Sequence, residues 1–463
     1  MVFSSLIFIY FFLPIVLVSY YITPKKYKNV VLLLSGLFFY AWGEPVYVLM
    51  MLFTTAVDYT AGRVIDRFDD RTAVRRLALI GSIVINLGIL FVFKYSGFAA
   101  GIIGIDMSPL PLPVGISFYT FQSMSYTIDM YLRKIKVQKN FVNYAAYVTL
   151  FPQIVAGPIV RYEDVQNEID CRTINSVMLG EGVGIFIKGL VKKVILANNI
   201  GMLWTEIKAL DYGEISAATA WLGILAFTFQ IYYDFSGYSD MAVGLGKMLG
   251  FNFPKNFDHP YISRSISEFW RRWHITLGSW FKSYVYIPLG GNRHGMAKTL
   301  RNLVIVWALT GLWHGASWNF IVWGLYFGVL IIAERLFLGK RLEKWNPILN
   351  TLYTFVLVVI GWVFFDTDTI GDAFKYIGAM FGGGAGFFDG MAWFDLKNYG
   401  ILFLLCIVCA TEIPDNILIS HYKKKKYSKY FINLVPFVQA ALLILCTAFL
   451  VDASYNPFLY FRF

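Results

Sequence analysis

Residues 301–335, RNLVIVWALTGLWHGASWNFIVWGLYFGVLIIAER, decide the fold class. Between Arg301 and Arg335 there is no other Lys or Arg, so the middle of the run lies deep in or beyond the membrane. Basic residues stay on the cytoplasmic side of a membrane. The stretch therefore reads as a helical hairpin with both feet in the cytoplasm and its turn around residues 314–319.

The rest of the chain agrees with that reading. It has 463 residues, of which 57% are hydrophobic, 18% aromatic and only 15% charged, which describes an integral membrane protein rather than a soluble one. The formal net charge of +11 falls in short clusters between apolar runs, as expected for cytoplasmic loops and not for a nucleic-acid surface. Cys171, Cys406, Cys409 and Cys446 make no zinc or haem pattern, so no metal site is expected. Further spans are predicted near 3–22, 29–43, 46–62, 77–97, 113–132, 348–365, 399–418 and 431–451. The first of these is read as retained, since no basic region precedes it. The basic breaks KKYK (25–28), RVIDRFDDRTAVRR (63–76), RKIKVQK (133–139) and HYKKKKYSK (421–429) place both termini on the extracytoplasmic side. The expectation is an all-α polytopic protein with about eleven transmembrane helices. It is read as one domain, 1–463, with N-terminal spans at 1–140, a catalytic core at 141–338, and C-terminal spans with an aromatic tail at 339–463.

The middle, 141–300, is less regular. FVNYAAYVTLFPQIVAGPIV is interrupted by Pro152, Gly157 and Pro158, and IYYDFSGYSDMAVGLGKMLGF carries Asp234 and Asp240. Such residues at membrane depth need shielding by protein or a wet cavity, so re-entrant or broken helices are expected there. The two aspartates either pair with Lys188, Lys192 or Lys193 or line a donor channel. Residues 268–291, EFWRRWHITLGSWFKSYVYIPLGG, read as one amphipathic helix with Arg271, His274, Gly278 and Lys282 on one stripe and Trp270, Trp273, Leu277, Trp280 and Phe281 opposite. That helix would lie at the cytoplasmic surface, where Arg271, Arg272 and Lys282 would also attract an anionic donor.

His314 stands about 20 Å along a helix from Arg301, deep in the bilayer, where an ionisable group is a functional candidate. Desolvation would keep its imidazole neutral and able to accept a proton. The spacing between His274 and His314 matches no local metal pair, so base chemistry is preferred.

Five motifs resemble the membrane-bound O-acyltransferase family. They are PVGISFYTFQSMSYTIDMY (113–131), FPQIVAGPIVRY (151–162), YYDFSGYSDMAVG (232–244), residues 252–293 around FWRRWH, and LTGLWHGASWNFIVWG (309–324). The likeness is to the bacterial branch of the alginate O-acetylation and teichoic acid D-alanylation membrane subunits. LGSWFK here stands where that branch shows LSSWFR.

The resemblance implies a ring of helices with a thin centre, His314 of WHG as the catalytic histidine and His274 as the second motif histidine. It also implies acetyl-CoA as donor with no bound cofactor, and an extracytoplasmic SGNH-hydrolase-like partner that serves a polysaccharide acceptor at the cell membrane. In this scheme a neutral His314 acts as general base, and Asn319, His274 or Tyr238 stabilises the oxyanion. The ending YNPFLYFRF is either an interfacial aromatic anchor or a tail whose Tyr460 carries the acyl group as a covalent relay. The alternatives are D-alanyl transfer to teichoic acid, acylation of lipids or secreted proteins, and a proton-coupled transporter, against which stands the lack of an internal repeat.

Overall fold

The computed structural model describes residues 1–108, 110–417, 425–452 and 458–459. Among these the chain is helical, with no strand. Among the described residues six helices are long and apolar enough to cross a membrane: Tyr47–Arg67, Thr72–Ile102, Trp318–Leu342, Pro347–Asp366, Gly390–Cys409 and Asn433–Asp452. The chain is an integral membrane protein.

Its described residues form two compact units, one drawn from Met1–Lys188 and Tyr238–Lys255, the other from Gly189–Gly237 and Asn256–Leu459. In the first, Tyr47–Arg67 packs on Thr72–Leu90 and Ile116–Tyr131. Ile116–Tyr131 buries 14 of its 16 residues, although Ser, Thr and Gln recur along it. Two of its hydroxyls bond within the helix: Ser125 donates to the Gln122 carbonyl at 2.6 Å and Thr127 to the Met124 carbonyl at 3.0 Å. Bonds of this kind let polar side chains lie inside the bundle.

In the second unit, Met296–His314 and Trp318–Ala333 form the expected hairpin, with residues 315–317 as the turn. Glycine makes it possible. A Cβ at Gly311 would stand 2.2 Å from the Phe320 carbonyl oxygen, and one at Gly324 would stand 2.3 Å from that of Trp307. Such close backbone approach is how small residues pack membrane helices without a hydrophobic driving force. Gly311→Val should force the hairpin apart and cost about 1–3 kcal/mol or more, seen as a lowered thermal unfolding midpoint of the detergent-solubilised protein. Gly81→Val, where an added Cβ meets nothing within 4 Å, should leave that midpoint nearly unchanged.

The structure corrects three expectations. The stretch around Asp234 and Asp240 is not broken: Ala217–Met248 is one continuous helix of 32 residues. Its glycines serve close packing instead, since a Cβ at Gly237 would stand 2.7 Å from the Gly189 carbonyl oxygen. The irregular backbone lies at residues 149–161, after the helix Phe141–Val148. The span placed at 399–418 runs instead over Gly390–Cys409. Asp389 starts it by accepting the Ala392 N–H at 2.7 Å and the Thr219 hydroxyl at 2.9 Å, so Asp395 and Lys397 fall inside the helix rather than before it.

The third correction concerns the amphipathic helix, which is interrupted at its histidine. Ile266–Arg272 ends at Trp273, and Ile275–Phe281 begins after His274, whose φ is +45°. A wide π-helical turn, Lys282–Tyr286, follows.

Candidate functional site

The break at His274 is pinned by the segment before the first short helix. The Asn256 carbonyl accepts the Ile275 N–H at 3.0 Å, and the Asp258 N–H donates to the Arg272 carbonyl at 2.9 Å. A left-handed backbone is rare for a residue with a side chain, and strain of this kind persists where the surroundings over-determine it. Its effect is to separate His274 from the helical stripe and bury its ring, 2% exposed.

The hydrogen bonds of that ring assign its tautomer. Asn256 Oδ1 accepts the Thr276 N–H at 3.2 Å and the Thr276 hydroxyl at 2.9 Å. A backbone N–H can only donate, so this Asn256 atom is the oxygen. His274 Nδ1, 3.1 Å away, therefore carries the proton, which leaves Nε2 with its lone pair.

Around the imidazole, Phe235 meets it edge-on with ring centroids 4.8 Å apart, and Trp313 stands at 5.9 Å. Trp313 also meets His314 at 4.9 Å. The two motif histidines thus share one indole as a neighbour. His314 is the last residue of Met296–His314 and is 4% exposed, with Trp323 at 4.9 Å and Phe365 at 5.4 Å from its ring.

A cavity of about 220 Å³ opens beside His274. Trp270, Trp273, Leu277 and Phe281 make it mostly apolar, Lys282 brings a cation to it, and Thr310, four residues before His314, forms part of its wall. The two faces assigned to a single helix therefore contribute to one hollow. This follows from the break and the π-helical turn, which rotate the faces relative to each other.

The other expected residues are placed as follows. Arg271 is exposed and does not line the cavity. Arg272 holds Glu268 at 2.9 Å and donates to the Asp258 carbonyl at 3.3 Å, a bracing role. Asn319 donates its amide to the Thr367 carbonyl, tying the hairpin to the end of Pro347–Asp366. Tyr238 belongs to the first unit, buried with Phe3 stacked on it at 4.5 Å. Asp240 is half-buried in that unit as well.

Asp234 is buried and ion-paired with Lys193, which the π-helical turn Lys192–Ala197 carries. Its second oxygen accepts the Leu459 N–H at 2.8 Å. Phe458 is 1% exposed, with its ring 6.3 Å from Phe235. Tyr460 lies outside the described residues. Sequence reasoning missed Asn256 and Thr276, since neither has a distinguishing chemistry, and missed Trp313 as the shared neighbour although it is the first letter of the WHG motif.

Residues 115–343 match the model of MBOAT, the membrane-bound O-acyltransferase family. A Pseudomonas putida protein named "Probable alginate O-acetylase AlgI" is 41% identical, covering 82% of this chain and 80% of that protein. The "Peptidoglycan O-acetyltransferase" of Helicobacter pylori is 31% identical over 100% of this chain and 98% of its own length. The "Teichoic acid D-alanyltransferase" of Bacillus subtilis is 27% identical over 54% of this chain and 68% of its own.

Proposed function

This chain belongs to the membrane-bound O-acyltransferase family and is an O-acyltransferase enzyme, and from that premise we propose that it transfers an acetyl group from a cytoplasmic thioester to a cell-envelope polysaccharide. Support for acetyl over D-alanyl comes from the relatives: those named O-acetylase or O-acetyltransferase match over four-fifths or more of this chain, the D-alanyltransferases over 54%. The single observation that carries the mechanism is that the two histidines share Trp313 as a neighbour, and that one of them, His274, lines a small apolar cavity.

In this reading acetyl-CoA is the donor, and its thioester reaches the cavity from the side of Lys282, whose charge suits a phosphorylated carrier. His314 acts as general base. It takes the proton of an attacking hydroxyl as that oxygen bonds to the thioester carbonyl carbon. The C–S bond then breaks, and the proton leaves with the CoA thiol. His274, with Nδ1–H committed to Asn256, offers a lone pair at Nε2 and serves as a second proton acceptor; stabilising an oxyanion would require it to gain a proton.

The first attacking hydroxyl in this scheme is that of Tyr460. Phe458 and Leu459, immediately before it, dock on Phe235 and Asp234, and Phe235 touches the His274 ring. The resulting tyrosyl ester would be exchanged onto a serine hydroxyl of an SGNH-hydrolase-like partner outside the cell membrane, which then acetylates the polysaccharide. Full-length protein in lipid vesicles supplied with [14C]acetyl-CoA should become labelled on the chain itself. Tyr460→Phe keeps the ring but removes the oxygen, and it should lose both the label and onward transfer. Transfer at the full rate by Tyr460→Phe would remove the relay.

A further inference from the structure

Three helices of the first unit meet at a hollow of about 450 Å³ that the acyl-transfer scheme does not use. Tyr47–Arg67 and Ile116–Tyr131 end there and Thr72–Leu90 begins there, so the hollow lies at an end of the bundle, at a membrane face. The basic clusters around it, at 63–76 and 133–139, are among those read as cytoplasmic from the distribution of charge. Ile65, Met130, Ile135 and Val137 make part of its wall apolar. Arg75, Arg133, Lys136 and Lys139 bring four cations to it, against the two carboxylates of Asp66 and Asp69.

These charges are unevenly matched. Asp69 serves two guanidiniums, that of Arg133 at 2.9 Å and that of Arg75 at 3.4 Å. Lys136 and Lys139 make no ion pair among the described residues. Arg75 is 7% exposed and donates to the Tyr131 carbonyl at 2.8 Å, yet its Nε has no hydrogen-bond partner among the described residues. Orphaned buried polar atoms are rare and call for a reason. Arg133 has a φ of +58°, a left-handed position that Gly or Asn fills at lower cost, so a guanidinium is kept here against the preference of the backbone.

We propose that this hollow binds the phosphodiester headgroup of an anionic phospholipid. Positive charge that only fixes topology needs neither a hollow nor a buried guanidinium. A phosphate oxygen would give Arg75 Nε the acceptor it lacks, in a charge-assisted bond, and would offset the excess of cations. A water molecule would satisfy Nε and leave that excess. The apolar wall suits the glycerol ester region of a lipid, for which a free phosphate has no use, and basic pockets between membrane helices take anionic headgroups in this way.

The test is native mass spectrometry of the purified full-length protein, released from a non-ionic detergent at rising concentrations of phosphatidylglycerol or of phosphatidylcholine with the same acyl chains. Phosphatidylglycerol should add first as a single lipid per chain and bind at least about tenfold more tightly than phosphatidylcholine, two charges being engaged. It should also raise the thermal unfolding midpoint, as a ligand of the native state does. Lys136 and Lys139 are exposed, so Lys136→Ala/Lys139→Ala should still fold. This double variant should hold phosphatidylglycerol about thirtyfold more weakly, roughly fivefold per lysine, with phosphatidylcholine unchanged. Equal binding of the two lipids by the wild type, or an undiminished affinity in the double variant, overturns the proposal. Displacement of the lipid by inorganic phosphate or by acetyl-CoA would also overturn it, by assigning the hollow to a soluble phosphate. Arg75→Gln should weaken binding too, and the lysine variant keeps the test readable if that buried change prevents folding.

Discussion

His314→Gln should lower acetyl transfer by about two to four orders of magnitude, the range a positioned general base contributes, while the protein still purifies as a folded species. Glutamine fills much of the imidazole's space between Trp313, Trp323 and Phe365 but has no basic nitrogen. The fall should appear in kcat, because the base acts in the transition state rather than in donor binding. The measurement is the rate of [14C]acetyl transfer in vesicles, normalised to folded protein by size-exclusion chromatography. A variant with ordinary kcat and a raised KM would mean that His314 helps to seat the donor and takes no proton. Alanine is the less informative change, because emptying an aromatic-lined site also costs packing.

The second large effect is on stability. Asp234→Asn should destabilise the protein by about 3–5 kcal/mol, the usual consequence of removing one partner of a buried ion pair. Lys193 and Asp234 are 3% and 2% exposed, so the ammonium left behind would be buried without this counter-charge. Lys193→Met should cost a similar amount by stranding the carboxylate. The double variant Lys193→Met/Asp234→Leu should be more stable than either single one, since two apolar chains in that volume strand no charge. Thermal unfolding in detergent checks all three. Asparagine still offers an oxygen to the Leu459 N–H, whereas leucine does not. A loss of transfer in the double variant despite restored stability would therefore trace to the released tail.

Much of this architecture is legible from the distribution of Lys and Arg. The hairpin of residues 301–335 is bounded by its arginines, and the spans at 47–67, 72–102 and 347–366 were expected close to where they lie. The misplacement of Gly390–Cys409 has a simple cause: Asp395 and Lys397 look like loop, yet the helix contains both, with Asp395 buried. The break at His274 was hidden for a different reason. Helical periodicity places side chains around an assumed axis and is blind to a single left-handed residue. Three lysines were equally good partners for Asp234 by composition, and only the π-helical turn at 192–197 brings Lys193 to it. His314 was visible because an ionisable group in a long apolar run is conspicuous, and His274 through the motif around FWRRWH that resembles the family. Asn256, which orients one of them, sits in an ordinary polar stretch.

The glycine contacts of the hairpin have one more implication. Gly311 lies three residues before His314, where the two helical backbones almost touch, so this end of the hairpin has no slack to open as a gate. In the proposed scheme, traffic of the donor and product would fall to the short helices on either side of His274, which are joined by Trp273 and the strained His274. Access would then be regulated on the side of the second histidine, with the first held still as a fixed anvil.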